Sequence, residues 1–377
     1  MKYNSALLNI FGLESIIKGG NVLVTLAMQD LFKTYFKMGP SSSQALHASL
    51  MIPWSLKFVF GLISDNVPIF GSRRKSYLII SSLVMSLSML LMGIIGQDNK
   101  TAAIWLLAIF MTSFAFADLI REALMVTTAR KDTERGAEEL QSFNWMALAI
   151  GGLGGSITAA YLTDGYEPRH CFLVAAGFGL VLFISAIRMP VAVEQIEPTD
   201  GAAEGPGFWA DLKHNLKEVG EAFKLREFRN INIFILLTGF LVPSFNSFEY
   251  YFFMDILNIS MFTYSMLTVL GFAALLIGTQ IYSIWFCEFE YRSMIIIDAV
   301  INILMQPLSF ILVFRLNLKW GLPDLALIMF SGSVADAFKQ CLVVLPITVL
   351  MAKICPKRIE ATSFAVLAGI AHLRSTI

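Results

Sequence analysis

Eleven stretches of this chain stay apolar for roughly the 20 residues that a helix needs to cross a bilayer. They fall near 7–36, 44–64, 76–96, 101–126, 142–163, 170–190, 231–254, 262–286, 293–314, 323–351 and 360–377. In hydrocarbon every backbone N–H and C=O must find a partner inside the protein, so runs of this length fold as helices. Composition agrees. Of 377 residues 56% are hydrophobic and 15% charged, and mean hydropathy is +0.68. The chain reads as an all-α polytopic membrane protein, with the lipid bilayer as its first partner. A net charge of zero argues against nucleic acid as another.

The longest polar break is 191–230, which contains Gly and Pro. It divides the chain into a first half, 1–190, with six spans, a linker, 191–230, and a second half, 231–377, with five. In the linker Phe208, Leu212, Leu216, Val219 and Phe223 recur at three- and four-residue spacing, with Lys213, Lys217 and Lys224 between them. That pattern is an amphipathic helix with a basic face. It suits a membrane surface, and equally a solvated tie between two halves. Lys and Arg in the loops set orientation. With the N-terminus and linker cytoplasmic, sixteen of these residues lie on the cytoplasmic side and six on the other. Glu14 and Lys18 sit in the first apolar run, which a cleavable signal would not tolerate. Cys171, Cys287, Cys341 and Cys355 show neither disulfide-framework nor metal-ligand spacing. No metal or cofactor site is expected.

Charges inside apolar runs are the features that need explaining. Glu14, Lys18, Lys57, Asp118, Arg121, Glu122, Glu249, Asp298, Asp336 and Lys339 all fall in predicted spans. Each costs about 2.5–3.5 kcal/mol at a bilayer centre on insertion scales, so such residues line a pathway or pair with one another. Two octamers concentrate them. "ADLIREAL" (117–124) lies in the fourth span and "ADAFKQCL" (335–342) in the tenth, with Ala, Asp and Leu at shared offsets. Each is followed by a basic loop and a Glu-x-x-Ser-Phe entry to the next span, at 139–143 and 360–364. "RKSYLII" (74–80) and "YRSMIII" (291–297) open the third span of each half. The offsets predict two parallel six-helix repeats, an architecture of secondary transporters. Asp118–Arg121 and Asp336–Lys339 stand three residues apart, so each pair reads either as a local ion-pair clasp or as part of a transport site. Glu122 has no local partner beyond Arg121 and is a candidate carrier of a coupling proton. Pro53–Trp54 reads as a kink and a packing residue. His47, His170, His214 and His372 are scattered, with no nucleophile or metal-ligand arrangement near them, so an enzyme is not expected.

"PWSLKFVFGLISDNVPIFGSRRKSYLI" (53–79) carries the most specific signature. Gly61 permits close helix approach, Asp65 ends one helix, and Arg73, Arg74 and Lys75 precede the next. Such a loop can latch one face of a bundle through ion pairs. Its Gly-x-x-x-Asp and Gly-x-Arg-Arg elements, including Gly71, resemble the loop signature of the major facilitator superfamily. The longer wording is similar to the folate–biopterin transporter family. "AKICPKRIEATSFAVL" (352–367) and "ADLIREALMVTTAR" (117–130) resemble two further segments of that family.

The resemblance implies a secondary active transporter of folate, biopterin or related pterins, working by alternating access with proton coupling. The alternatives are a major facilitator transporter of another organic solute and a non-transporting truncated homologue. Under this reading Asp118, Arg121, Glu122, Lys57, Asp336 and Lys339 are the candidates for substrate binding or coupling. Gly61, Asp65, Gly71, Arg73 and Arg74 form the gating loop. A carboxylate would accept from the pterin ring, and Arg or Lys would hold the folate glutamate. The chain departs from the family pattern at Arg121, Glu122, Thr127, Thr128, His372 and Arg374. The family pattern also leads to the expectation of a twelfth span beyond Ile377. Neither plasma membrane nor plastid envelope is distinguished.

Overall fold

The computed structural model of the chain describes residues 5–129, 135–190, 220–241, 245–354 and 360–373, together with Lys213 and Lys217. Among these residues the regular elements are helices. The first six, α1 to α6, are Ser5–Tyr35, Pro40–Asn66, Lys75–Gly96, Lys100–Ala129, Gly136–Gly165 and Pro168–Arg188. Next come α7, Arg226–Leu241, and α8, residues 246–256. Then come α9, α10 and α11, at Met261–Phe286, Tyr291–Val313 and Asp324–Lys353. The last is α12, Glu360–Leu373. By length and composition α1–α6 and α9–α11 are the nine described helices able to cross a membrane. The stretch predicted as a seventh span is divided between α7 and α8. The loop cations Arg130, Lys131, Lys357 and Arg358 lie outside the described residues. So do Arg374 and, in the linker helix, Phe208, Leu212, Leu216 and Val219.

Local chemistry sets several boundaries. Pro40 and Pro168 each occupy the first turn of their helix after an extended residue, where a missing N–H costs nothing. Ser260 caps α9, its Oγ accepting the Thr263 N–H at 3.2 Å. Pro53 inside α2 has no N–H to give its own helix, and the helix breaks at Leu56 and resumes at Lys57. This kink falls between Trp54 and Lys57. In α11 two π-helical turns, Met329–Val334 and Gln340–Val344, flank the short α-segment Ala335–Lys339. Each π turn shifts the side-chain register of the residues after it.

Packing concentrates the core within α1–α6. Helix α1 runs along α5, and α3 lies against both α4 and α6. Glycines make the α1–α5 approach as close as it is. A methyl at Gly19 would fall on the Leu148 carbonyl, and one at Gly151 on the Ile16 carbonyl. Helices α9 and α10 pack on α11. Contacts between the α1–α6 set and the later helices run through α5–α9, α2–α8, α2–α12, α4–α12 and α5–α11. At one end of this interface Lys33 pairs with Asp255, and the Tyr251 hydroxyl donates to the Met38 carbonyl. At the other end Lys353 pairs with Glu138, and Arg135 meets Glu288 at 2.7 Å. The interface is therefore bridged at both ends.

Candidate functional site

Four helices aim charged or polar side chains at one buried point. From α1 come Glu14, Ser15 and Lys18. The second helix supplies Lys57, just past its kink. From α4 come Asp118, Arg121 and Glu122, and α5 supplies Asn144. Lys57 and Asp118 are fully buried, Glu14 likewise, and Arg121 is 1% exposed. Asp118 is the centre. Its Oδ1 accepts from Lys18 Nζ at 2.9 Å and from Arg121 Nη2 at 2.6 Å, and its Oδ2 accepts from Lys57 Nζ at 2.5 Å. Glu122 lies one residue beyond Arg121 and meets Lys57 at 3.0 Å, Arg121 at 3.5 Å and Lys18 at 3.9 Å. Arg121 reaches further. Its Nε pairs with Glu14, and its Nη1 donates to Asn144 Oδ1 at 2.9 Å. Ser15 donates to that same amide oxygen.

Three cations thus face three carboxylates, and their formal charges balance. Helix geometry explains the arrangement. Asp118, Arg121 and Glu122 share one face of α4 at three- and four-residue spacing. Glu14 and Lys18 share one face of α1 in the same way. Charges taken out of water must be paired to survive, and each charge of this set has an opposite charge within 4 Å. Asp118 is hydrogen-bonded on both oxygens, whereas Glu14 meets Arg121 as an ion pair and accepts no hydrogen bond among the described residues. Trp54 forms an apolar wall. Lys57 Nζ lies 4.9 Å and Lys18 Nζ 5.5 Å from the centre of its ring.

The structure brings four predicted site residues, Lys57, Asp118, Arg121 and Glu122, into this cluster. The expected Asp118–Arg121 pair forms, but as one contact among several rather than as an isolated clasp. Glu122 has three cationic neighbours, where the sequence suggested only Arg121. The predicted twin in α11 behaves differently. Asp336 is exposed and Lys339 half-buried, and among the described residues no ion pair within 4 Å joins them. Enclosure accounts for the difference. Helix α4 is surrounded by α1, α2, α3, α5 and α12, whereas the 335–339 segment packs on α9 and α10 and keeps one face open. Glu249 on α8 lies within electrostatic range of Asp336. Sequence reasoning misses Asn144, Ser15 and Trp54 as site residues. Asn144 and Ser15 give no signal in an apolar run, and Trp54 beside a proline reads as packing.

The predicted gating loop forms a compact unit. Arg74 Nη2 meets Asp65 Oδ1 at 2.6 Å, and Arg74 Nη1 donates to Ser64 Oγ at 2.6 Å. Arg73 is exposed instead. Residues 69–72 close a tight antiparallel turn, with Phe70 and Gly71 at φ of 51° and 73°, and Gly71 takes the left-handed region without strain. Gly61 is buried in α2. Asp65 also accepts from Thr362 Oγ1 of α12 at 2.6 Å. One carboxylate therefore holds both its own loop and a helix from the far side of the interface. Among the described residues no group of three His, Cys, Asp or Glu side chains could hold a metal.

This arrangement of helices around a buried charged cluster has the fold seen in solved major facilitator proteins. A D-xylose–proton symporter superposes with a TM-score of 0.72 at 14% identity, covering 98% of this chain and 88% of its own. The human organic anion transporter MFSD10 superposes with a TM-score of 0.66 at 14% identity, covering 98% and 91%. The sequence is more specific than the fold. The model of the BT1 family matches residues 18–377, and the chain belongs to that family. Similar relatives include probable folate-biopterin transporter 4 of Arabidopsis thaliana, 23% identical over 96% of this chain and 84% of that protein. The folate-biopterin transporter of Synechocystis is 27% identical over 99% and 72%. Folate transporter 1 of Plasmodium falciparum is 25% identical over 97% and 70%.

Proposed function

We propose that the chain carries a folate or a biopterin-like pterin across a membrane by alternating access between two halves, 1–190 and 231–377, joined by a linker. The carrying observation is the charge-balanced cluster of Lys18, Lys57 and Arg121 with Glu14, Asp118 and Glu122. Folate, whose glutamate carboxylates are anionic, upsets that balance where it reaches Lys18, 22% exposed at its side chain. The surplus negative charge is relieved when one carboxylate takes a proton. Glu122, whose contacts at 3.0–3.9 Å are longer than those of Asp118, and Glu14, whose oxygens accept no hydrogen bond among the described residues, are the candidates. Substrate and proton then enter together, with the cluster near neutrality. Asp336 and Lys339 on α11 are further candidates for substrate contact. Asp65 and Arg74 latch the end that the excess of loop cations assigns to the cytoplasm. The names of the relatives support the substrate class.

The test is uptake by purified protein in liposomes, with labelled folate and biopterin, with and without an imposed pH gradient. The reading expects uptake of at least one of the two, faster when the outside is more acidic. Absence of uptake of both, in protein that is folded and inserted, sinks the substrate assignment. Uptake that ignores the gradient removes the proton.

A further inference from the structure

Trp54 is buried, 6% exposed, yet its indole Nε1–H has no hydrogen-bond partner among the described residues. An indole N–H left unpaired in a protein interior is destabilising, so the position calls for an acceptor. The ring's surroundings say what kind. Phe114 of α4 meets its edge at 5.3 Å between centroids. Lys57 and Lys18 place ammonium groups over the ring. His372 of α12 meets it at a tilt, with centroids 5.0 Å apart and planes at 52°. That imidazole is a flat nitrogen heterocycle, and it comes from across the interface. Helix α12 can approach this closely because of Gly369, one turn before His372, where a methyl would lie 2.7 Å from the Ser55 carbonyl oxygen.

We infer that Trp54 is a substrate-contacting residue, that its ring and N–H receive the flat heterocycle of the substrate, and that His372 occupies this place when α2 and α12 are together. The inference rests on the substrate reading above and deepens it. The substrate's ring displaces the imidazole from the indole face, and a ring carbonyl or ring nitrogen accepts the Trp54 N–H. Ring binding and release of α12 from α2 become one event, because both involve the same face of Trp54. Aromatic contact and the new hydrogen bond both favour the bound ring.

The experiment is equilibrium binding to the purified full chain. The ligands are folate, biopterin, a purine base, and p-aminobenzoylglutamate, which has the anionic tail and lacks the pterin. The variants are Trp54→Phe, which keeps a ring and loses the N–H, Trp54→Leu, and His372→Ala. Trp54→Phe should weaken folate and biopterin about fivefold and Trp54→Leu more, with p-aminobenzoylglutamate unchanged. His372→Ala should tighten folate and biopterin a few-fold, since no side chain competes for the indole face. Unchanged folate and biopterin binding in both Trp54 variants overturns the inference. So does an equal loss for p-aminobenzoylglutamate, which would make Trp54 a support for the lysines. Weaker pterin binding in His372→Ala overturns the displacement. Wild-type protein that ignores pterins but binds the purine through Trp54 supports the ring site and refutes the pterin reading. Binding of no heterocycle at all overturns both.

Discussion

Lys57 on α2 and Asp118 on α4 are both fully buried, and Lys57 Nζ lies 2.5 Å from Asp118 Oδ2. The same ammonium also bonds Glu122, one turn further along α4. One cation therefore ties together two carboxylates that share a helix face, and Lys18 and Arg121 reinforce both. A charge in such a cluster has no water to fall back on. Its fate depends on every partner remaining in place.

Arg121→Leu should show this dependence. The change leaves Glu14 buried without its guanidinium and leaves three carboxylates facing two ammonium groups. Breaking a buried pair in this way costs about 3–5 kcal/mol. We expect a clear loss of thermal stability in detergent and loss of uptake. Removing Asp118 as well, in Asp118→Leu with Arg121→Leu, should not restore function, because Lys18 and Lys57 also bond Asp118. Exchanging the two residues should fail for the same reason. Normal uptake by the double apolar variant would show that Asp118 and Arg121 are structural and not needed for transport. Thermal unfolding and uptake measured on the same preparations decide between these outcomes.

Much of this cluster is legible in the sequence, and the reason is energetic. A charge in an apolar run stands out because hydrocarbon penalises it, so Asp118, Arg121, Glu122 and Lys57 can be selected without a structure. Membrane spans are legible on the same ground. Partner choice is not. Glu14 and Lys18 are visible as charges, but nothing in the order of residues says that α1 brings them to α4. Asn144 and Ser15 are polar residues that an apolar helix can carry anywhere. The resemblance between "ADLIREAL" and "ADAFKQCL" suggests equivalent sites, yet the second lies between π turns with one face open. Similar local sequence meets different neighbours there, and burial depends on the neighbours.

Glycine substitutions should separate packing from function along α5. Gly151 is pressed against the Ile16 carbonyl, whereas Gly154 has nothing within 4 Å of where a methyl would stand. Gly151→Val should force α1 and α5 apart and cost upwards of about 1–3 kcal/mol. Gly154→Ala should be neutral or slightly stabilising, since alanine is the better helix former by about 1 kcal/mol. Melting temperatures of the two variants, measured side by side, test the claim. Equal behaviour would mean that the close α1–α5 approach is not a feature of the protein in lipid.

Thr362 and Arg74 bond different oxygens of one carboxylate, so Asp65 couples its own loop to α12. Thr362→Val removes the link across the interface and keeps the loop ion pair. A hydrogen bond to a charged group is worth about 1.5–3 kcal/mol. We expect this end to open more readily, with faster exchange of bound substrate and little change in affinity. Asp65→Asn weakens both links and should slow net transport. Equal losses of affinity and rate in Thr362→Val would make this hydrogen bond part of the binding site instead.

The two ends of the interface make opposite forecasts. Lys33–Asp255 closes the end that carries the 36–39 turn, and Glu138–Lys353 closes the end that carries the 67–74 loop. Each pair is partly exposed, so each contributes no more than about 1 kcal/mol. That is still a severalfold change in a balance between two open states. Lys33→Gln should favour opening at the 36–39 end, and Glu138→Gln at the 67–74 end. Spin labels in a cysteine-free background can read the difference, one pair at Lys37 and Ile256 and another at Phe70 and Glu290. Lys33→Gln should lengthen the first distance and leave the second unchanged or shorter, and Glu138→Gln should do the reverse. The sign is the decisive quantity, because simple loosening of the fold would lengthen both distances in both variants. A shift of both distances in the same direction would mean that the pairs hold the protein together without selecting which side is open.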